Sequence, residues 1–303
     1  MTSGLSKTFI HRLRGAQARC AVALGGLSMM LAGCGGGGLP EPEVKAENIA
    51  ALRRVDVAGA GGGVGQAAVS GWFTLKGRFT YNGAPPAMAG ISVSKDPLCK
   101  VPLKEETLLV DSGTKGLANV VIYLNDAPAV HPDLLAAPPK EVLWDQKECR
   151  FLAHVSGLQT KDKWVILNSD APSHNALFAP GRGNKGDNVL LPTGQRYEYS
   201  GFKNPVTAPF EVTCSIHSWM KAYVLARPDP YFAVTAPDGT FAIEKLPAGI
   251  PLEFVVWHER GAGDNHALKA KADWSNRGRF KLPAPKDGEV VTLDIPVEPS
   301  ALQ

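Results

Sequence analysis

The chain has 303 residues, 44% of them hydrophobic, which suits one large or two ordinary folded domains and excludes both a disordered chain and a protein with many membrane spans. Of its 32 basic residues, Lys7, Arg12, Arg14 and Arg19 lie in the first 33 positions, where there is no acid, and the remaining 28 face 29 acidic residues. A body this close to neutral, with no basic stripe interleaved with aromatics, excludes a nucleic-acid partner.

Behind the basic stretch, residues 20–32 form an apolar run too short to span a bilayer as a mature helix and the right length for a signal-peptide core. The run ends in Leu31-Ala32-Gly33-Cys34, which resembles the bacterial lipobox. The resemblance implies that residues 1–33 are a signal peptide and that Cys34 becomes the lipidated first residue, a membrane anchor. It further implies, from Gly35 in the next position, a periplasmic or outer-membrane lipoprotein of a Gram-negative bacterium. Residues 34–70, with their glycine runs at 35–38 and 59–65 and the Pro40-Glu41-Pro42-Glu43 stretch, read as a flexible tether, with room for a short helix near 46–55. Neither the 59–65 run nor the G-x-G-x-x-G match at 181–186 meets the helix or Lys-Ser/Thr requirements of a phosphate loop.

Gly 32 and Pro 24 together make up nearly a fifth of the chain and break it into short elements. From Trp72 onward, strand follows strand: Phe73, Leu75, Phe79 and Tyr81 alternate around Gly77, and Asn82-Gly83-Ala84-Pro85-Pro86 supplies a turn. Further β-rich segments bounded by Gly, Pro, Asn or Asp lie at 120–124, 141–144, 164–168, 196–200, 210–213, 222–225, 241–243, 252–257 and 290–295. The pattern predicts an all-β sandwich or barrel, with at most a short helix near 133–137.

Beyond the leader and Cys34, three cysteines remain in a chain read as exported, where thiols usually pair, so one is left over. Cys214 is the candidate, because it heads Cys214-Ser215-Ile216-His217-Ser218-Trp219-Met220, a thiolate, an imidazole and a thioether at three-residue intervals after a strand. Cys99 and Cys149 are then the simplest disulfide, although sequence does not establish connectivity. A second imidazole comes from His174, in the polar turn after the 164–167 strand. Two imidazoles, a thiolate and a weak thioether suit copper cycling between its two oxidation states. A zinc set of Cys149, His154, Cys214 and His217 is the alternative.

The C-x-x-H-x-x-M loop and the upstream Pro172-Ser173-His174-Asn175 resemble the ligand segments of the cupredoxins, the amicyanin type in particular, over about residues 120–226. The resemblance implies a Greek-key β-sandwich with His174, Cys214 and His217 as equatorial ligands, Met220 as axial ligand, Asn175 as a brace behind them, and one-electron transfer to a redox protein such as a c-type cytochrome, without catalysis of its own. His154 is expected as a further residue behind the site, and Trp219 near the contact face. Ser215, Ile216 and Ser218 depart from the prolines common in such loops.

Residues 231–257 read as strand, Asp238-Gly239 turn, strand, Pro247-Ala248-Gly249 turn, strand, a hairpin pattern. The stretch 231–297 is similar to carboxypeptidase-regulatory-like or transthyretin-like modules, and residues 72–86 resemble the opening strands of the same module, which would nest the cupredoxin-like part inside it. The working division is a cupredoxin-like domain with N-terminal strands at 71–228 and a smaller transthyretin-like sandwich at 229–298. Two alternatives keep the same sequence features: copper storage or delivery by the same ligands, and a metal-free module binding envelope protein or glycan around Trp257 or Trp274. His258 and Glu259, adjacent on a strand, are expected to face apart and not to cooperate, and His131 and His266 to lie in solvated loops.

Overall fold

The structure, a computed structural model, describes residues 68–93 and 97–303. The leader, Cys34 and the tether up to residue 67 lie outside the described residues. The chain enters through β1 (Gly71–Tyr81), the short pair β2 (Gly90–Ile91) and β3 (Leu103–Lys104), β4 (Val121–Leu124) and a one-turn helix α1 (Pro132–Ala136). It continues through β5 (Glu141–Lys147), β6 (Arg150–Phe151), β7 (Val155–Gln159), β8 (Lys163–Asn168), β9 (His174–Phe178), β10 (Asp187–Leu191), β11 (Arg196–Tyr199), β12 (Phe210–Thr213) and β13 (Lys221–Arg227). It closes with β14 (Phe232–Val234), β15 (Thr240–Ala248), β16 (Leu252–Trp257), β17 (Arg279–Leu282) and β18 (Val290–Val297).

Sheet pairing sorts these strands into two sandwiches, one interrupting the other in sequence. Strands β5 to β13 make a five-stranded sheet in the order β10-β9-β12-β13-β7 and a four-stranded sheet in the order β11-β8-β5-β6. The strands on either side in sequence make a three-stranded sheet, β15-β1-β18, and a four-stranded sheet, β14-β4-β16-β17. The chain leaves the outer sandwich at β4 and returns at β14, which pairs antiparallel beside β4 with Phe232 opposite Tyr123. An insertion whose two ends lie side by side disturbs its host least.

The expected boundary at 228/229 therefore does not follow the sheets: β1 and β4 pair with strands beyond residue 229, not with β5–β13. The expected hairpin is also corrected. Strand β15 pairs with β1, and β16 with β4 and β17, so the Pro247-Ala248-Gly249 turn crosses between sheets. Gly249 and Gly239 supply the positive φ that those turns need, but turn chemistry does not choose the sheet.

The two central strands of the β14-β4-β16-β17 sheet, β4 and β16, are buried on both faces. Val121, Tyr123, Val255 and Trp257 join the core of the inserted sandwich, whereas Ile122, Leu124, Phe254 and Val256 join the outer core with Phe73, Leu75 and Ile295. This double burial explains why β4 reads as a continuous apolar run, and why Glu253 is the one charged residue in β16. Strand β1 lies parallel to β18, and a Cβ on Gly77 would fall 1.9 Å from the Leu293 carbonyl oxygen. Gly77→Ala is accordingly expected to destabilise by about 1–3 kcal/mol or more, because backbone and not a yielding side chain blocks the methyl; urea unfolding with an unchanged midpoint would contradict this.

Candidate metal centre

Two loops of the inserted sandwich bring three of the four predicted donors together, His174, Cys214 and His217. After β8, buried Asn168 shapes the first loop: its side chain donates to Pro172 C=O (3.0 Å) and Leu191 C=O (2.7 Å) and accepts from Asp170 N–H (2.9 Å). The loop ends as His174 enters β9 with its side chain fully buried. The polar turn expected over 168–175 thus stops two residues earlier, and His174 and Asn175 are ladder residues opposite Leu191 and Leu190.

The second loop links β12 to β13. Cys214 N–H donates to Met220 C=O (3.1 Å) and Met220 N–H to His217 C=O (2.9 Å), which curls residues 214–220 into a tight arc. Asn175 fastens this arc to β9, its Oδ1 accepting from Ser215 N–H at 2.8 Å and its Nδ2 reaching Ser215 Oγ at 3.3 Å and Asn188 Oδ1 at 2.6 Å.

Inside the two loops, His174 Nδ1 and His217 Nδ1 lie 2.9 Å apart and Cys214 Sγ lies 3.8 Å from His217 Nδ1. Donor atoms of the three residues all lie within 4.8 Å of one another, and each residue is at most 2% exposed. The Cys214 thiol donates to Asn175 Oδ1 (3.2 Å), and Asn175 N–H points at the sulfur from 3.5 Å. Met220 is buried in the same core. His174 Nε2 faces away from the cluster onto Asp170 Oδ2 at 3.0 Å. Burial pushes the Asp170 carboxyl up, but hydrogen bonds from His174 and from the Cys149 and Ala171 N–H groups outweigh it and hold the carboxyl below the usual range.

Cys99 and Cys149 are disulfide-bonded and Cys214 is a free, buried thiol. The disulfide removes Cys149 as a thiolate donor and overturns the zinc set that used it. His154 is not part of the His–Cys–His cluster; its Nε2 contacts Glu259 and its Nδ1 lies 3.7 Å from Glu106 Oε2. It shares a cavity of about 380 Å³ with Met220 and Trp219. His258 and Glu259 lie just past the end of β16 and not on the strand, and Glu259 pairs with His154, 105 residues distant in sequence, a pairing no local motif signals.

His258 is buried, and burial, reinforced by repulsion from His154, lowers its pKa to about 3. The unfolded chain takes up that proton near pH 6.5, the native chain only near 3. The stability held above pH 6.5 is therefore lost progressively as pH falls toward 3, on the order of a few kcal/mol. His258→Phe should flatten this part of the unfolding profile; a slope identical to that of the unsubstituted protein would contradict it.

Trp257 and Trp274 are only 2% and 4% exposed, so neither offers a face to a glycan. His131 is half-buried and caps α1, accepting from Asp133 N–H, whereas His266 is exposed. Asp170 is a contributor that the sequence did not assign, its only signal being its position four residues before His174, and Trp219, expected near the contact face, also donates its Nε1–H to Cys149 C=O at 2.9 Å.

No protein-family model matches the chain, and no curated protein matches it. Among solved structures, it is similar to a copper-containing nitrite reductase from Thermus scotoductus SA-01, at 21% identity and a TM-score of 0.27, over 33% of this chain and 27% of that one. The chain thus spans about a quarter of that enzyme's length. It is also similar to a purple cupredoxin from Nitrosopumilus maritimus (16% identity, 28% of this chain, 98% of that one, TM-score 0.24). A third similar structure is amicyanin from Paracoccus versutus (15% identity, 35% of this chain, 97% of that one, TM-score 0.26).

Proposed function

We propose that the inserted sandwich binds one copper ion through His174, Cys214 and His217, with Met220 as a fourth, weaker donor, and serves as a one-electron carrier. The observation that carries this reading is the buried His–Cys–His cluster. Imidazole nitrogens bind first-row dications at about 2.0–2.1 Å and thiolate at about 2.3 Å, so nitrogens sharing an ion lie about 3 Å apart and nitrogen and sulfur just under about 4 Å. The separations of 2.9 and 3.8 Å fit that requirement.

A copper ion in a thiolate–imidazole set supplies a reversible one-electron couple. The chain's own residues do the rest. The Cys214 thiol donates to Asn175 Oδ1 and would release its proton to solvent when the sulfur binds metal, while Asn175 N–H remains aimed at the sulfur. Asp170 would accept from His174 Nε2–H and so hold the ring in the tautomer whose Nδ1 keeps its lone pair toward His217 and the metal position. Near-complete burial keeps water off the donors, so the same four residues serve both oxidation states. Trp219, half-buried against His217, lies beside exposed Ile216 on the side where a redox protein such as a cytochrome would approach.

The lipobox-like Leu31-Ala32-Gly33-Cys34 supports placing this carrier on a membrane of the periplasm through lipid on Cys34, with the outer sandwich, transthyretin-like in this reading, as its scaffold. A carrier must show a reversible one-electron wave in protein-film voltammetry and exchange electrons rapidly with a c-type cytochrome. Tight retention of cuprous ion with no reversible wave would replace carriage by storage or delivery.

A further inference from the structure

One peptide outside the donor set reaches the outer side of both imidazoles. Cys149 N–H donates to Asp170 Oδ2 at 2.6 Å, the oxygen that lies 3.0 Å from His174 Nε2. Cys149 C=O accepts from Trp219 Nε1 at 2.9 Å, and the Trp219 ring lies on His217 with centroids 5.1 Å apart. Cys149 also contributes to the small cluster with Cys99 and Leu103 on which Trp219 packs.

Local propensity does not hold this peptide in place. Glu148 and Cys149 are the two loop residues of the β5–β6 hairpin, whose register pairs Lys147 with Arg150, and both have φ of 55°. Two successive positive φ angles are the mark of a tight turn that favours Asn-Gly, and neither Glu nor Cys adopts them readily. The turn is retained by what grips it from outside: the bond from Cys149 to Cys99, the Asp170 carboxylate and the Trp219 indole.

We propose that Cys149, pinned by its disulfide to Cys99, is a positioning residue that orients both imidazole donors of the metal centre at once. The inference rests on the copper reading above. Freed of the disulfide, the turn relaxes, Asp170 and Trp219 lose a common anchor, and both rings loosen although every donor remains.

The test uses the full-length protein loaded with cupric ion, comparing it with a Cys99→Ser/Cys149→Ser double variant, Asp170→Asn and Trp219→Phe. The double variant should release cupric ion to a competing chelator at least tenfold more readily. Its visible band positions and electron paramagnetic resonance hyperfine splitting should also change. Asp170→Asn and Trp219→Phe should shift the same spectra, and Asp170→Asn should raise the reduction potential by making His174 the poorer donor. These two variants keep the disulfide and answer the question if the double variant fails to fold. Spectra and affinities matching the parent in all variants that fold would overturn the positioning role while leaving the copper reading intact. Absence of a thiolate-to-copper band in the parent protein would instead overturn the copper reading, and this inference with it.

Discussion

Replacing Cys214 by Ser is expected to abolish the intense visible absorption of the copper-loaded protein, lowering absorptivity at the thiolate band by at least about tenfold while leaving the fold in place. The sulfur is the only thiol among the described residues that is not in a disulfide, and it lies within reach of both imidazoles. Serine keeps the volume and can still donate to Asn175 Oδ1, 3.2 Å from the sulfur, so the arc from Cys214 to Met220 should persist. What disappears is the soft donor whose charge transfer produces the colour and whose covalency stabilises cuprous ion. Weaker, pale binding through His174 and His217 is the expected remainder, read by titration with absorption. An undiminished band in Cys214→Ser would show that the colour arises elsewhere.

The largest stability effect is expected at Trp164. It is fully buried, with ring centroids 5.0 Å from Phe178, 5.3 Å from Trp144, 6.0 Å from Phe210 and 6.2 Å from Tyr199. This cluster spans the two sheets of the inserted sandwich, so deleting the ring opens a cavity that neither sheet can close alone. Trp164→Ala should cost about 3–5 kcal/mol. Trp164→Phe should cost much less than the alanine change, because the indole Nε1 is buried without a hydrogen-bond partner and its removal relieves that penalty. Chemical denaturation of both variants decides the point; equal losses would show that ring volume does not govern this site.

Part of the buried His–Cys–His cluster was legible because its spacing is local. Cys214, His217 and Met220 recur at three-residue intervals, and a short loop between paired strands β12 and β13 turns such residues inward whatever the rest of the chain does. Most strands were legible for the same reason, from alternation over four to seven positions. Strands β2, β3, β6, β7, β9, β10 and β17 were not, since β2, β3 and β6 are only two residues long and Val155–Gln159 and Asp187–Leu191 mix polar and apolar residues without the β-branched density that marks a strand. The nested order was suggested by the likeness of residues 72–86 to the later module, but only the long-range pairing of β1 with β15 and β18 fixes it. Asp170 and Cys149 were invisible as partners because their hydrogen bond joins two loops 21 residues apart through a backbone N–H, which no side-chain pattern encodes.

Under the proposed function, His174, Cys214 and His217 hold one copper ion. The most direct measurement is titration of the metal-stripped protein with cupric ion, recording visible absorption and electron paramagnetic resonance together. The expected result is an intense thiolate-to-copper band that saturates at one equivalent, with loss of the free thiol signal of Cys214. No band, with Cys214 still reactive toward a thiol reagent after unfolding in the presence of copper, would contradict it.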